Sequence, residues 1–202
     1  MKQTKRMETS TLVLGAILTA LVILLQYVSM WIRFGAFSIT LSLVPIVIGS
    51  IVCGYTMGAW LGLVFGTTVL LSGDANLFFS FNVPGTVITV LLKGTLCGLA
   101  SGVAYKLSSK IFSKNNLEKY NFVRVLVSSV ICPIVNTGIF IAGCYIFFLP
   151  NISEMAAKEG IAGNIFGFII TAFVTFNFIL ELILNILLTP ATAKILKATK
   201  RN

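Results

Sequence analysis

The sequence has 202 residues, of which 57% are hydrophobic and 10% are charged, and its formal net charge is +9. A soluble domain of this length has about 25% charged residues, so this composition indicates an integral membrane protein. The chain contains no histidine, which excludes the commonest general base and the commonest metal ligand. The basic residues lie at the termini and in one connector rather than on a continuous face, which argues against nucleic-acid binding.

Apolar segments long enough to cross a bilayer follow one another along the chain. Residues 34–73 carry no charge and are long enough for two crossings, with a turn at Cys53 and Gly54. We therefore expect an all-α fold, a single integral membrane domain built as a bundle of six transmembrane helices. The predicted spans are residues 9–32, 37–52, 57–71, 86–105, 124–148 and 161–188.

The distribution of Lys and Arg predicts the orientation of these spans. With both termini in the cytoplasm, twelve of the fifteen basic residues fall in cytoplasmic segments. Arg33 and Lys158 are then the only basic residues outside, and Lys93 lies within a span. This asymmetry satisfies the positive-inside rule, so we expect both termini to be cytoplasmic.

Lys93 stands inside the fourth predicted span, TVITVLLKGTLCGLASGVAY. An ionisable group at membrane depth costs about 2.5–3.5 kcal/mol on the insertion scale, so it needs a partner or a water-filled cavity. Two interpretations remain open: the lysine snorkels or pairs with Asp74, or it is a cationic point in an outward-opening pocket that binds a substrate carboxylate. Glycines at four-residue spacing predict close helix packing in the third and fourth spans.

Polar side chains recur in the last two predicted spans. Asn136 and Thr137 lie in the middle of the fifth span, and Asn177, Glu181 and Asn185 form a polar stripe on the sixth. We take Asn136, Thr137 and Asn177 as candidate substrate ligands, although interhelical hydrogen bonds would explain them equally. For Glu181 and Asn185 we favour a role in helix packing or partner contact.

The loop at residues 73–85, GDANLFFSFNVPG, is unusually aromatic. It is either an interfacial aromatic belt or a lid over a binding site, and the sequence does not separate the two. If it is a lid, Phe79 and Asn82 are candidate substrate contacts.

Catalytic motifs are missing from the sequence. It contains no GxxxxGK[ST] nucleotide-binding loop, and without histidine neither a Ser-His-Asp set nor an HExxH site can form. The four cysteines are dispersed through apolar segments without a CxxC pair, which is typical of buried thiols. We therefore predict no catalytic residue, no metal site, no cofactor and no enzymatic activity.

Several features together resemble the substrate-binding S components of energy-coupling factor (ECF) vitamin transporters. These are the predicted spans, the basic connector before the fifth span, the Ala16-xxx-Ala20 motif in the first span, and the run LSLVPIVIGSIVCGYTMGAWLGLVFG. The resemblance implies a high-affinity vitamin-binding subunit of an ABC-type importer in the bacterial plasma membrane. It also implies partners, namely a transmembrane coupling subunit, which Ala16 and Ala20 contact, and two ATPase subunits.

The segments KGTLCG and VNTGIF resemble members of this family that bind pantothenate, which is our favoured substrate. Lys93 would then bind its carboxylate, and Asn82, Asn136 and Asn177 would bind its amide and hydroxyls. Riboflavin or another vitamin remains open, because the aromatic loop could stack on a flavin. A self-contained secondary transporter of a small organic solute is the alternative from another class, and a structural membrane protein is a third.

Overall fold

The computed structural model describes residues 9–34, 37–38, 40–111, 117–161 and 163–199. Helices dominate this part of the chain, which confirms the all-α prediction apart from one hairpin of two-residue strands. The basic residues Lys2, Lys5, Arg6, Lys114, Lys200 and Arg201, on which the predicted orientation partly depends, lie outside the described residues. The elements are α1 (Thr9–Ser29), β1 (Arg33–Phe34), β2 (Phe37–Ser38), α2 (Leu43–Val52), α3 (Tyr55–Ser72), α4 (Asn76–Phe79), α5 (Val83–Ile111), α6 (Leu117–Phe147), α7 (Leu149–Lys158), α8 (Ile165–Ile169), a π-helical turn (Ile170–Val174), α9 (Thr175–Leu187) and α10 (Thr189–Thr199).

Four of the described helices, α1, α3, α5 and α6, are long and apolar enough to cross a membrane. A fifth crossing is formed if the pair Ile165–Val174 and Asn177–Leu187 is one span, which bends by 49°. At ten residues, α2 is apolar but extends only about 15 Å, half of the hydrocarbon core. The described helices therefore give four or five spans, and the six-span count stays a prediction.

The second predicted span, residues 37–52, is helical only from Leu43. The residues before it are tied to α1 by side-chain hydrogen bonds: Leu41 N donates to Ser29 Oγ over 3.2 Å, and Ser42 Oγ donates to the Val22 carbonyl over 3.1 Å. Non-helical backbone is tolerated at membrane depth where protein groups satisfy it in this way. Pro45 occupies the first turn of α2, where its missing N–H costs nothing.

The glycine ladders of α3 and α5 pack directly against each other. A Cβ atom on Gly58 would collide with the backbone of Gly98, and one on Gly62 would collide with the backbone of Gly94. At the end of the ladder next to the beginning of α3, a Cβ on Gly102 would lie 2.6 Å from Tyr55 Cα. The glycines thus allow backbone-to-backbone contact, as the spacing predicted.

Buried hydroxyls continue this close packing between α2, α5 and α6. Ser101 Oγ lies 3.0 Å from Ser50 Oγ and 2.8 Å from Ser128 Oγ, and all three residues are buried. Small hydroxyl side chains let helices approach while satisfying each other's hydrogen bonds.

The second half of the chain has helices where loops were predicted. Residues 151–160, which separate the fifth and sixth predicted spans, lie mostly in α7, which buries Ile152 and Ala156 and exposes its charged face. On that face Lys158 lowers the pKa of Glu154 through a hydrogen bond of 2.9 Å. The segment after Pro190, predicted as a tail, is α10, because proline is compatible with a first helical turn and Leu196 is buried.

Candidate substrate-binding site

Lys93 lies roughly 15 Å along the helix axis from Val83, the first residue of α5. Its side chain is half-buried, and Nζ sits 5.4 Å from the ring centre of Phe140 and 5.9 Å from that of Phe65. These distances are in the range of cation–π attraction. No ion pair within 4.0 Å joins Lys93 to Asp74 in the described part of the chain, although both side chains line one cavity.

Two cavities of about 30 Å³ each meet at Lys93 and Phe140. A cavity of this volume holds one or two water molecules, whereas ligand pockets for vitamin-sized molecules measure about 300–1,000 Å³. The site is therefore closed in this structure, and a substrate requires side chains to move. We refer to the two spaces as the polar cavity and the aromatic cavity.

The polar cavity is lined by Lys93, Asn136, Thr137, Phe140, Phe173, Val174 and Asn177. Asn136 Nδ2 and Asn177 Nδ2 donate to the two carboxylate oxygens of Glu181, over 3.4 Å and 2.9 Å. The opposite atoms of both amides, the Oδ1 oxygens, are buried and accept no hydrogen bond from the described residues. The residues that line the cavity thus bring together one cation and two amide oxygens that accept no hydrogen bond from the described residues.

The aromatic cavity lies on the other side of Lys93, toward residues 73–85. It is lined by Val69, Asp74, Ala75, Phe78, Thr86, Thr89, Val90, Lys93, Phe140 and Phe148. Phe78 is buried among other rings, with centroid distances of 5.4 Å to Phe140, 5.0 Å to Phe148 and 5.9 Å to Phe173. Phe78 and Lys93 therefore line the same cavity.

Local backbone geometry brings the polar residues together. Asn136 follows Pro133 within α6, and Asn177 follows the π-helical turn at Ile170–Val174. In that turn the Thr175 hydroxyl donates to the carbonyl of Ile170, five residues earlier, over 2.8 Å. Single π-helical turns are frequent at functional sites because they rotate the following residues relative to an α-helix.

Four of the six predicted substrate contacts meet in one place: Lys93, Asn136, Thr137 and Asn177 all line the polar cavity. The other two, Phe79 and Asn82, line neither cavity. Asn82 Oδ1 instead accepts the backbone N–H of Gly85 over 2.9 Å at the beginning of α5, as a helix cap does. Phe79 is half-buried and packs against the main apolar core.

Sequence reasoning missed several residues of this site. Phe140 lies one helical turn after Asn136 on the same face of α6, so the spacing could have indicated it. Glu181, for which we favoured helix packing or partner contact, accepts hydrogen bonds from two amides of the polar cavity, one of them on α6. Thr40, which hydrogen-bonds to Glu181, precedes α2 and gave no signal in the sequence.

A second candidate surface lies on the outside of α1 and α3. A groove of about 680 Å³ runs between them, and it is lined mainly by apolar side chains. Ala16 and Ala20 are exposed at its floor, and Trp60 forms one wall, with Nε1 donating to Thr19 Oγ1 over 3.3 Å. The small-residue motif therefore leaves an open, flat strip on α1.

Comparison with known families gave one match. The family model described as "ECF transporter, substrate-specific component" matches residues 10–193, nearly the whole chain. Neither the comparison with curated proteins nor the comparison with solved structures found a significant match.

Proposed function

We propose that this chain, which belongs to the family of ECF transporter substrate-specific components, binds pantothenate at the two cavities around Lys93. Membership of this family makes the protein a vitamin-type substrate-binding membrane subunit. The family is a transporter component rather than an enzyme family. Our proposal concerns which vitamin the protein binds.

The observation that carries the proposal is the setting of Lys93. Its ammonium lies deep within a transmembrane helix and lines two cavities beside the rings of Phe65 and Phe140, with the carboxylates of Asp74 and Glu181 in its surroundings. A functional role is the default explanation for an intramembrane ionisable group. A substrate carboxylate would add a charge-assisted hydrogen bond to this ammonium.

Pantothenate matches the remaining groups of the polar cavity. It carries one carboxylate, one amide and two hydroxyls, so its donors can meet Asn136 Oδ1 and Asn177 Oδ1 while its carboxylate meets Lys93. Riboflavin carries no carboxylate and so offers Lys93 no charge-assisted hydrogen bond. The Phe78 ring lies at 86° to the rings of Phe81 and Phe140, at 68° to that of Phe173 and at 48° to that of Phe148, so none of these pairs forms a parallel slot for a flavin.

Substrate entry then requires the 73–85 segment to act as a lid. Phe78 from α4 fills the space above Lys93, and the cavities that remain are too small for a vitamin. We propose that Phe78 withdraws with this segment when substrate binds and returns to cover it. Loops of this kind commonly exclude water from bound ligands.

Six crossings with both termini in the cytoplasm complete the proposed topology. In it, α2 and the non-helical residues before it form the second span, and α8, the π-helical turn and α9 form the bent sixth span. Residues 73–85 and the Lys93 site then face outward, where a vitamin arrives. The excess of basic residues in the proposed cytoplasmic segments supports this orientation.

Family membership also implies partners, an ECF coupling subunit and ATPase subunits. We propose that the coupling subunit docks in the groove at Ala16 and Ala20, where small residues let a partner helix approach closely. Two ATPase subunits would then supply the energy. A self-contained secondary transporter, the alternative, would co-purify with no ATPase subunit.

The identity of the small molecule bound to the purified protein tests the proposed substrate. Mass spectrometry of the released ligand is expected to find pantothenate. Riboflavin or another vitamin in its place would keep the family function and refute the pantothenate proposal.

A further inference from the structure

Glu181 on α9 is a buried acid with no exposed surface. Its carboxylate accepts hydrogen bonds from three neutral side chains on three different elements: Asn136 on α6, Asn177 on α9 and Thr40 before α2. Asn185, one turn further along α9, donates only to the Glu181 backbone carbonyl, over 2.8 Å. The carboxylate is thus held by neutral donors, and Lys93 is a nearby opposite charge.

The chemistry of this arrangement fixes how both amides point. An ionised carboxylate accepts hydrogen bonds and cannot donate them, whereas an asparagine amide has an NH₂ donor and a carbonyl acceptor. In the structure both Asn136 and Asn177 turn their NH₂ groups toward Glu181, as an accepting carboxylate favours. Their Oδ1 oxygens then point away from it, and these are the buried atoms that accept nothing from the described residues.

We propose that Glu181 is a positioning residue that makes the polar cavity an acceptor surface beside a cation. The cavity then selects an anionic substrate that also carries hydroxyl or amide N–H donors near its carboxylate, and it rejects anions that lack those donors. This inference rests on the proposed function, because it assumes that the substrate occupies the cavity at Lys93. It assigns Glu181 a role in ligand selectivity beyond helix packing.

The isosteric change Glu181→Gln tests this role. A glutamine amide presents one acceptor and one donor, so one of the two asparagines must reverse and place an N–H in the cavity. We compare pantothenate with dideoxypantothenate, in which both hydroxyls are replaced by hydrogen, in equilibrium titrations of the purified protein. Asn185→Ala is the matched control, because it removes a buried asparagine from the same helix without touching the carboxylate.

Wild-type protein is expected to bind dideoxypantothenate about 10- to 100-fold more weakly than pantothenate, since the buried acceptors then stay unpaired. Glu181→Gln is expected to weaken pantothenate binding by about tenfold or more and to reduce the ratio of the two ligands' dissociation constants. Asn185→Ala is expected to leave this ratio unchanged. The proposal is overturned if Glu181→Gln leaves the ratio of the two dissociation constants unchanged, or if both variants change this ratio equally. The proposal is also overturned if the wild-type protein binds pantothenate and dideoxypantothenate with equal affinity. This measurement does not depend on the folding of any variant.

A ligand-free measurement separates this inference from the proposed substrate. In protein with isotope-labelled asparagine, Glu181→Gln is expected to shift the side-chain amide signals of Asn136 and Asn177 and to leave other asparagines in place. If wild-type protein binds neither ligand, the pantothenate proposal fails and these signals decide the role of Glu181. Unmoved signals in the variant overturn the positioning role.

Discussion

At the scale of single residues, the account depends on the charge of Lys93. Replacing it by methionine keeps most of the side-chain volume and its contacts with Phe65 and Phe140 but removes the ammonium. Losing a charge-assisted hydrogen bond costs about 1.5–3 kcal/mol, so we expect Lys93→Met to weaken vitamin binding by roughly 10- to 150-fold. Titration of the purified variant with the vitamin measures this directly.

The matched control for this variant is Lys106→Met. Lys106 lies on the same helix and also rests on a ring, with Nζ 5.3 Å from the centre of Tyr55, but it lines neither cavity. We expect it to bind the vitamin as wild type does. If the Lys93→Met protein binds the vitamin with the same affinity as wild type, the ammonium of Lys93 does not contribute to binding.

The residue scale also shows what a sequence can reveal about a membrane site. Lys93 and the polar residues Asn136, Thr137 and Asn177 could be predicted, because each is anomalous in an apolar span. Asn82 is ambiguous in the sequence, since a helix cap and a substrate ligand use the same side chain. The i, i+4 spacing places Asn177 beside Glu181, but the contacts of Glu181 with Asn136 and Thr40 depend on which elements meet, and no spacing along the chain encodes them.

At the scale of secondary-structure elements, the contact between α3 and α5 forms the rigid centre of the bundle. Gly62→Ala places a methyl group against the Gly94 backbone, which cannot move without separating the two helices. Overpacking of this kind costs about 1–3 kcal/mol. We expect a lower melting temperature for the detergent-purified variant, measured by thermal unfolding.

Gly138→Ala on α6 is the control for this prediction. No atom lies within 4 Å of the Cβ that it adds, so the substitution meets no backbone. Alanine is also the better helix former, and the melting temperature should stay the same or rise. If Gly138→Ala lowers the melting temperature as much as Gly62→Ala does, the destabilisation does not come from the contact between the glycines of α3 and α5.

Element boundaries illustrate a limit of sequence reasoning in membranes. The glycine ladders and the long apolar helices were readable from periodicity and length. The shortened α2 was not, because the two residues before it, Leu41 and Ser42, are held by Ser29 and Val22 on another helix. The bend in the last span was equally hidden, since the π-helical turn at Ile170–Val174 contains neither glycine nor proline.

At the scale of the whole molecule, the substrate site and the groove on α1 lie on different surfaces. Ala16→Trp fills the groove between α1 and α3 without reaching Lys93. We expect the variant to keep vitamin binding and to lose association with the coupling subunit. Co-purification with co-expressed coupling and ATPase subunits, together with a vitamin titration, measures both properties.

Leu21→Trp adds the same ring to α1 at a position that does not line the groove. Leu21 is 38% exposed and lies about 100° or more around the helix from Ala16 and Ala20, so the ring should face lipid. We expect this protein to associate with its partners normally. If both variants lose association with the partner subunits, or if both keep it, the coupling subunit does not dock at the Ala16–Ala20 strip.

Mass spectrometry of the small molecules released from purified protein tests the central claim most directly. Wild-type protein and the Lys93→Met variant are prepared in parallel, each before and after exposure to a panel of vitamins. The account predicts stoichiometric pantothenate in the wild-type protein and little or none in the variant. A wild-type protein that stays empty after exposure, or that releases an uncharged vitamin equally from both proteins, would contradict the proposal that Lys93 anchors an anionic vitamin.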